Sequence, residues 1–140
     1  MYSMRVKSVM ERKKRLVAAP ETTVAKAARL MAKKNVGAVM VVEGKRLAGI
    51  FTERDAVFRV VAAGRDPATT TIGEVMTPDP VTVPPDEIFG RALLAMHDGG
   101  FRHVPVVENG EPVGIVSSRS ALDPEMEEFT AETQRRLSLR

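Results

Sequence analysis

The chain has 140 residues, 44% of them hydrophobic, which suits one compact domain or two small lobes sharing a core and excludes a disordered tail. Its 21 basic and 18 acidic residues leave a dispersed net charge of +3, and the one dense run, Arg12-Lys13-Lys14-Arg15, reads as a solvated loop before it reads as a polyanion site. Zero Cys excludes disulfides and thiolate metal sites, and no apolar run nears the roughly 18 residues of a membrane span. No signal-peptide core follows the first basic residues, so the cytoplasm is the expected location.

Aromatic residues make up only 4% and Trp is absent, so the core must be Val, Ala, Leu, Ile and Met. The chain opens on Val6-Lys7-Ser8-Val9-Met10, and a short apolar strand is predicted over Arg15 to Ala19. A helix follows with Val24, Ala27, Ala28 and Met31 on one face; it stops at Asn35-Val36-Gly37, where residues tolerant of positive φ occur. Two strands, Ala38 to Glu43 and Leu47 to Phe51, pair across a turn at Gly44. A closing helix begins at Thr52 and runs through Ala56, Val57, Val60 and Val61. Residues 64–71, Gly-Arg-Asp-Pro-Ala-Thr-Thr-Thr, read as a linker.

Beyond the linker the sequence repeats itself. Ile72-Gly73-Glu74-Val75-Met76 matches the opening segment. Gly100-Phe101-Arg102-His103-Val104-Pro105-Val106-Val107-Glu108 matches the segment from Asn35 to Glu43, 65 residues earlier, and Val113-Gly114-Ile115-Val116-Ser117 matches Ala48 to Thr52 at the same offset. The second copy therefore predicts a strand over Pro80 to Val83, framed by prolines, and a helix with Phe89, Ala92, Leu93 and Met96 on one face. That helix stops at Gly99-Gly100. Strands His103 to Glu108 and Pro112 to Val116 join at Asn109-Gly110, and a closing helix from Ser117 is cut short by Pro124. The tail, Glu125 to Arg140, spaces Met126, Phe129 and Leu137 as a thin apolar stripe on a surface or partner-contacting helix.

These elements predict a mixed α+β fold of two βαββα units, residues 5–63 and 72–122, followed by a helical tail over 123–140. Neither unit alone can cover both faces of its sheet, so the two are expected to pack sheet to sheet about an approximate two-fold axis, with a cleft between them.

Val-Met at the head of each unit, the Val-rich hairpins and Gly49-Ile50-Phe51-Thr52-Glu53-Arg54-Asp55 resemble the cystathionine β-synthase (CBS) domain family, whose members come as tandem pairs called Bateman modules. The resemblance covers about residues 5–122. It implies a pseudo-symmetric lobe that pairs into a flat homodimer and binds an adenine nucleotide (AMP, ADP or ATP) or another adenosyl compound in the inter-repeat clefts. It implies regulation of a separate effector protein and no enzymatic activity or cofactor.

The resemblance places Thr52 near the phosphate and Asp55 on the ribose. A strand-to-helix junction offers free N–H groups to an anion, and a carboxylate one turn on can accept from two ribose hydroxyls. Thr-x-x-Asp is also close to a capping box, so the same residues have a purely structural reading. In the second copy Ser117 keeps the cap and Ser120 replaces the acid, which predicts a competent Asp55 cleft and a weak or empty Ser120 cleft. By family position Arg102 and His103 reach phosphates held at the other repeat's site, although Arg102 could simply be exposed at a strand start. Leu16, Val36, Gly37 and Ala38 would line the base pocket. Glu11 departs from the family's usual Thr, which Thr77 keeps in the second copy, and leaves base preference open. His97 and His103 lie on different elements and form no metal cluster; His97 suits a helix C-terminus. Two rival readings are a structural dimerisation module with empty clefts and a polyanion or nucleic-acid binder using Arg12 to Arg15.

Overall fold

In a computed structural model the chain is described over residues 2–13 and 15–138, with the backbone alone for 121–128. Lys14 of the basic run, the Met126 side chain and Arg140 at the end of the tail lie outside the described residues. The first half runs α1 (Val6–Val9), β1 (Val17–Ala18), α2 (Val24–Lys34), β2 (Ala38–Glu43), β3 (Arg46–Thr52) and α3 (Glu53–Asp55), which continues as a π-helical segment, Ala56–Val61. The second half runs α4 (Ile72–Val75), β4 (Thr77–Pro78), α5 (Phe89–Gly99), β5 (His103–Glu108) and β6 (Glu111–Ser117). A 3₁₀ turn, Ser118–Ala121, then leads into α6 (Leu122–Ser138). The mixed α+β class expected from the repeat is the class observed.

Local chemistry accounts for the element ends. Thr23 caps α2 by accepting from the Lys26 N–H at 3.2 Å, and Asn35 stops it at φ 55°. Gly100 stops α5 at φ 72°, and Asn109-Gly110 turns the second hairpin at φ 55° and 81°. Each hairpin carries a register shift at the matching place, Val41/Val42 and Val106/Val107.

The sheets repeat one plan. In the first the strand order is β1-β2-β3-β4, with β1 parallel to β2 and the other pairs antiparallel. In the second, β5-β6 is flanked by single bridges, Val83 parallel to Val106 and Glu11 antiparallel to Ile115. The two sheets meet along β3 and β6.

The leading segment of each repeat crosses into the opposite half. The Val6 and Lys7 N–H groups donate to Glu87 O and Pro85 O at 2.8 and 2.9 Å, and Val6 is buried with Phe89, Val104 and Val116. Reciprocally, Ile72 N–H donates to Thr22 O at 2.8 Å, and Ile72 and Val75 are buried with Val24, Phe51 and Val60. Met10 lies over Gly114 and Met76 over Gly49, where an added Cβ would collide with each sulfur. Each half is thus completed by five or so residues of the other.

Several sequence expectations need correction. The strand expected over Pro80 to Val83 is reduced to the Val83 bridge, because Pro80, Pro84 and Pro85 lack ladder donors; β4 lies earlier, at Thr77–Pro78. The strand over Arg15 to Ala19 shrinks to Val17–Ala18. Ala28 is exposed, and Leu30 packs on the core in its place. The closing helix starts at Glu53 with Thr52 as its cap, and only Val60 of its apolar set is fully buried. Pro124 does not end a helix. It lies in the first turn of α6, where no intrahelical N–H bond is lost.

Candidate functional site

The helix-capping segments after β3 and β6 are built alike. In the first, Asp55 Oδ2 accepts from the Thr52 N–H at 2.9 Å and from its hydroxyl at 3.2 Å, while the Asp55 N–H donates to Thr52 Oγ1 at 3.4 Å. This is a full capping box. Asp55 is only 7% exposed, and its carboxylate also faces Arg59 Nε at 3.5 Å. Arg59 in turn donates to the carbonyls of Val75 and Met76 at 3.1 and 3.0 Å, tying the first repeat to the end of α4. In the second, Ser120 Oγ accepts from the Ser117 N–H at 3.1 Å, and the two hydroxyls are 3.4 Å apart. A neutral oxygen thus performs the capping bond that a carboxylate performs one repeat earlier.

Between the halves lies a cavity of about 470 Å³. The first repeat contributes Glu11, Arg15, Asn35 to Ala38 and Glu53; the second contributes Arg102, His103, Ile115 and Ser117 to Ser120. Arg15 is held by donating to Val113 O at 3.1 Å and Arg12 O at 3.2 Å, and Glu11 accepts from the Lys13 N–H at 3.1 Å. Three guanidinium groups face two carboxylates, so the wall is net cationic. Along this lining the Glu53 N–H donates to Gly37 O at 3.1 Å, and the Ser118 N–H to Arg102 O at 3.0 Å, equivalent bonds in the two repeats. A Cβ on Gly37 would overlap Glu53 Oε1 and come within 3.4 Å of His103 Cε1, so this crossing admits no larger residue without displacement. Burial pushes the His103 pKa below its usual 6.5, with Glu53 opposing and Arg102 reinforcing the shift. Its imidazole is therefore neutral at pH 7.

The structure brings Val36, Gly37, Ala38, Arg102, His103, Ser117 and Ser120 into one lining. Thr52, Asp55 and Leu16 are not part of it. Leu16 is buried in the first core, its carbonyl accepting from the Met40 N–H at 2.9 Å. Sequence reasoning missed Arg15, Glu53 and Arg119 as wall residues. The repeat held no signal for Arg119, since its counterpart in the first copy, Arg54, is not in the lining. Arg54 instead stacks 5.0 Å over Phe58. His97 lies in the last turn of α5 as expected, exposed beside Asp98 at 3.5 Å. A wider concavity of about 810 Å³ runs along α6 and is lined by residues of that helix alone, from Ala131 to Ser138. Among the described residues no helix is long and apolar enough to cross a membrane, and no three His, Cys, Asp or Glu side chains could jointly hold a metal ion.

The profile of the CBS domain family matches residues 6–62 and again 72–124. The CBS domain-containing protein CBSCBSPB2 of Arabidopsis thaliana is 41% identical over 102 residues, 72% of this chain, but this chain spans only 19% of that protein's length. Two solved structures share the architecture. An uncharacterized conserved protein of Pyrococcus horikoshii superposes with a TM-score of 0.82 at 28% identity, covering 89% of this chain and 94% of its own. The CBS domain protein PAE2072 of Pyrobaculum aerophilum, solved complexed with AMP, gives 0.76 at 28% identity, covering 84% and 89%.

Proposed function

This chain belongs to the CBS domain family, and from that premise we propose that it is a regulatory module that binds an adenine nucleotide, AMP, ADP, ATP or a related adenosyl compound, in the cavity between its halves. The observation that carries the reading is the cationic wall, Arg15, Arg102 and Arg119, beside the small residues Gly37, Ala38, Ser117 and Ser120 in about 470 Å³. That volume lies within the range of roughly 300–1,000 Å³ typical of small-molecule sites. Guanidinium groups suit phosphate oxygens in bidentate geometry, and the small residues leave space for a flat ring. The AMP held by PAE2072, a protein of like architecture, supports the same ligand class here.

The sequence favours the Asp55 cleft over the Ser120 one, but the Asp55 carboxylate is held in its helix cap. We therefore place the ligand in this cavity, where the serine hydroxyls would meet the ribose and Arg102 with His103 the phosphate. A second cleft, expected from the repeat beside Asp55, would have the charged acceptor that Ser120 lacks. Asp55 Oδ2 already holds the Thr52 N–H and hydroxyl while Oδ1 faces Arg59, so ribose binding and capping compete for Oδ2. Ligand in either cleft favours one relative setting of the halves, and that preference is what a separate effector protein in the cytoplasm would read. The exposed row Val57, Phe58 and Val61 supports pairing with a second copy.

Isothermal titration with AMP, ADP, ATP and S-adenosylmethionine tests the proposal. Saturable binding by one of them is expected, abolished or weakened tenfold or more by Arg102→Ala, since a charged hydrogen bond contributes about 1.5–3 kcal/mol. Absence of heat and of any thermal shift at millimolar ligand would leave the structural dimerisation module as the reading.

A further inference from the structure

The last ten described residues of the chain, 129–138, are exposed at every position although all are helical. Phe129 and Leu137 are 65% and 59% exposed, and the nearest neighbour of α6 is the 3₁₀ turn that leads into it. A helix of this length has little stability in water without a packed face, since nucleation is costly and packing supplies most of the gain. Its sequence is polarised: Asp123, Glu125, Glu127 and Glu128 come first, and Arg135 and Arg136 come in the last turn. Of these arginines, Arg136 also pairs within the helix with Glu132 at 2.8 Å. A segment acidic at one end and basic at the other is complementary to itself when reversed. Placed parallel, two such helices set acid against acid and base against base; placed antiparallel, they align opposite charges and opposite helix dipoles.

We propose that α6 pairs antiparallel with α6 of a second copy of this chain, burying Phe129 and Leu137 and setting Arg136, which flanks that face, of each copy beside the acidic first turns of the other. The inference rests on the self-association proposed above and names an element that holds it.

The chain contains no Cys, so single engineered thiols report the geometry cleanly. In the full chain under mild oxidation, Thr130→Cys near the crossing point should give a disulfide-linked dimer. Ser138→Cys should not, because antiparallel packing places the two copies of that residue about 25 Å apart at 1.5 Å per residue. Phe129→Glu with Leu137→Glu should weaken self-association about tenfold or more in sedimentation equilibrium, with the circular dichroism of the sheets unchanged. Arg136→Glu should weaken it too, and mixing with a Glu125→Arg chain should restore it. Cross-linking of Ser138→Cys as fast as Thr130→Cys, or of neither, overturns the proposal. A dimer that survives Phe129→Glu with Leu137→Glu overturns it and leaves the broader self-association standing, whereas a chain monomeric at every concentration removes both.

Discussion

Asp55 and Ser120 occupy equivalent places one repeat apart, yet they are embedded differently. Asp55 accepts two hydrogen bonds from Thr52 and faces Arg59, whereas Ser120 accepts one backbone bond. Removing a capping oxygen typically costs about 0.5–2 kcal/mol. Asp55→Ala should fall at or above the top of that range, because it also leaves the Thr52 N–H unpaired in a half-buried place, and Ser120→Ala near the bottom. Urea denaturation followed by circular dichroism ranks the pair; equal losses would mean that the carboxylate adds nothing to the cap. His103 gives a second prediction at this scale. Its pKa is lowered in the folded chain by burial first, with Glu53 raising and Arg102 lowering it. Between the folded value and the usual 6.5 the unfolded chain binds more protons, so this contribution to stability is present above the usual histidine pKa and lost as pH falls through the folded one. His103→Gln should flatten the stability profile below about pH 7. An unchanged slope would assign the pH dependence to other groups.

At the scale of elements, the two glycines under the exchanged methionines test how tightly each crossing is built. A Cβ on Gly49 would meet Met76 Sδ and also the backbone carbonyl of Thr77 at 2.8 Å; one on Gly114 would meet Met10 Sδ at 2.6 Å and the carbonyl of Glu11 only at 3.3 Å. A thioether swings aside more readily than a paired strand. Gly49→Ala should therefore cost about 1–3 kcal/mol and Gly114→Ala distinctly less, measured by thermal and chemical denaturation of both variants. These crossings also mark where sequence reasoning stopped. The helices, hairpins and turns were legible because period, Asn35, Gly100 and Asn109-Gly110 all act within a few residues. For Val6 and Ile72 only the recurring motif was legible; their burial, and the residues against which each is buried, were not, since a repeated motif does not say what it packs against. Arg15 likewise reads as part of a solvated run until β6 supplies the Val113 carbonyl that turns it into the cavity wall. The open cavity lies on the serine side, whereas the carboxylate that drew attention in the sequence is turned into its own helix cap.

For the whole molecule, exchange of leading segments means that neither half is complete without the other, so the chain should unfold in one transition. Val6 is the sharpest probe. It belongs to the first repeat in sequence and to the second core in space, buried with Phe89, Val104 and Val116. The same segment continues through Met10 over Gly114 to Glu11, which bridges Ile115 and lines the cavity. Val6→Ala should cost about 1–3 kcal/mol by loss of buried methyls and the space they leave. Its first effect should be on amide exchange in the distant hairpin β5–β6 rather than in β2–β3. If the nucleotide occupies the cavity, a ligand at 100 times its Kd adds about 2.7 kcal/mol and should restore most of that loss. It would do so although Val6 is not among the residues lining the cavity. Amide exchange by mass spectrometry, with and without nucleotide, reads both effects in one experiment. Protection lost mainly in β2–β3 would show that the halves are stabilised separately, and the exchanged segments would then be incidental to how binding is felt across the chain.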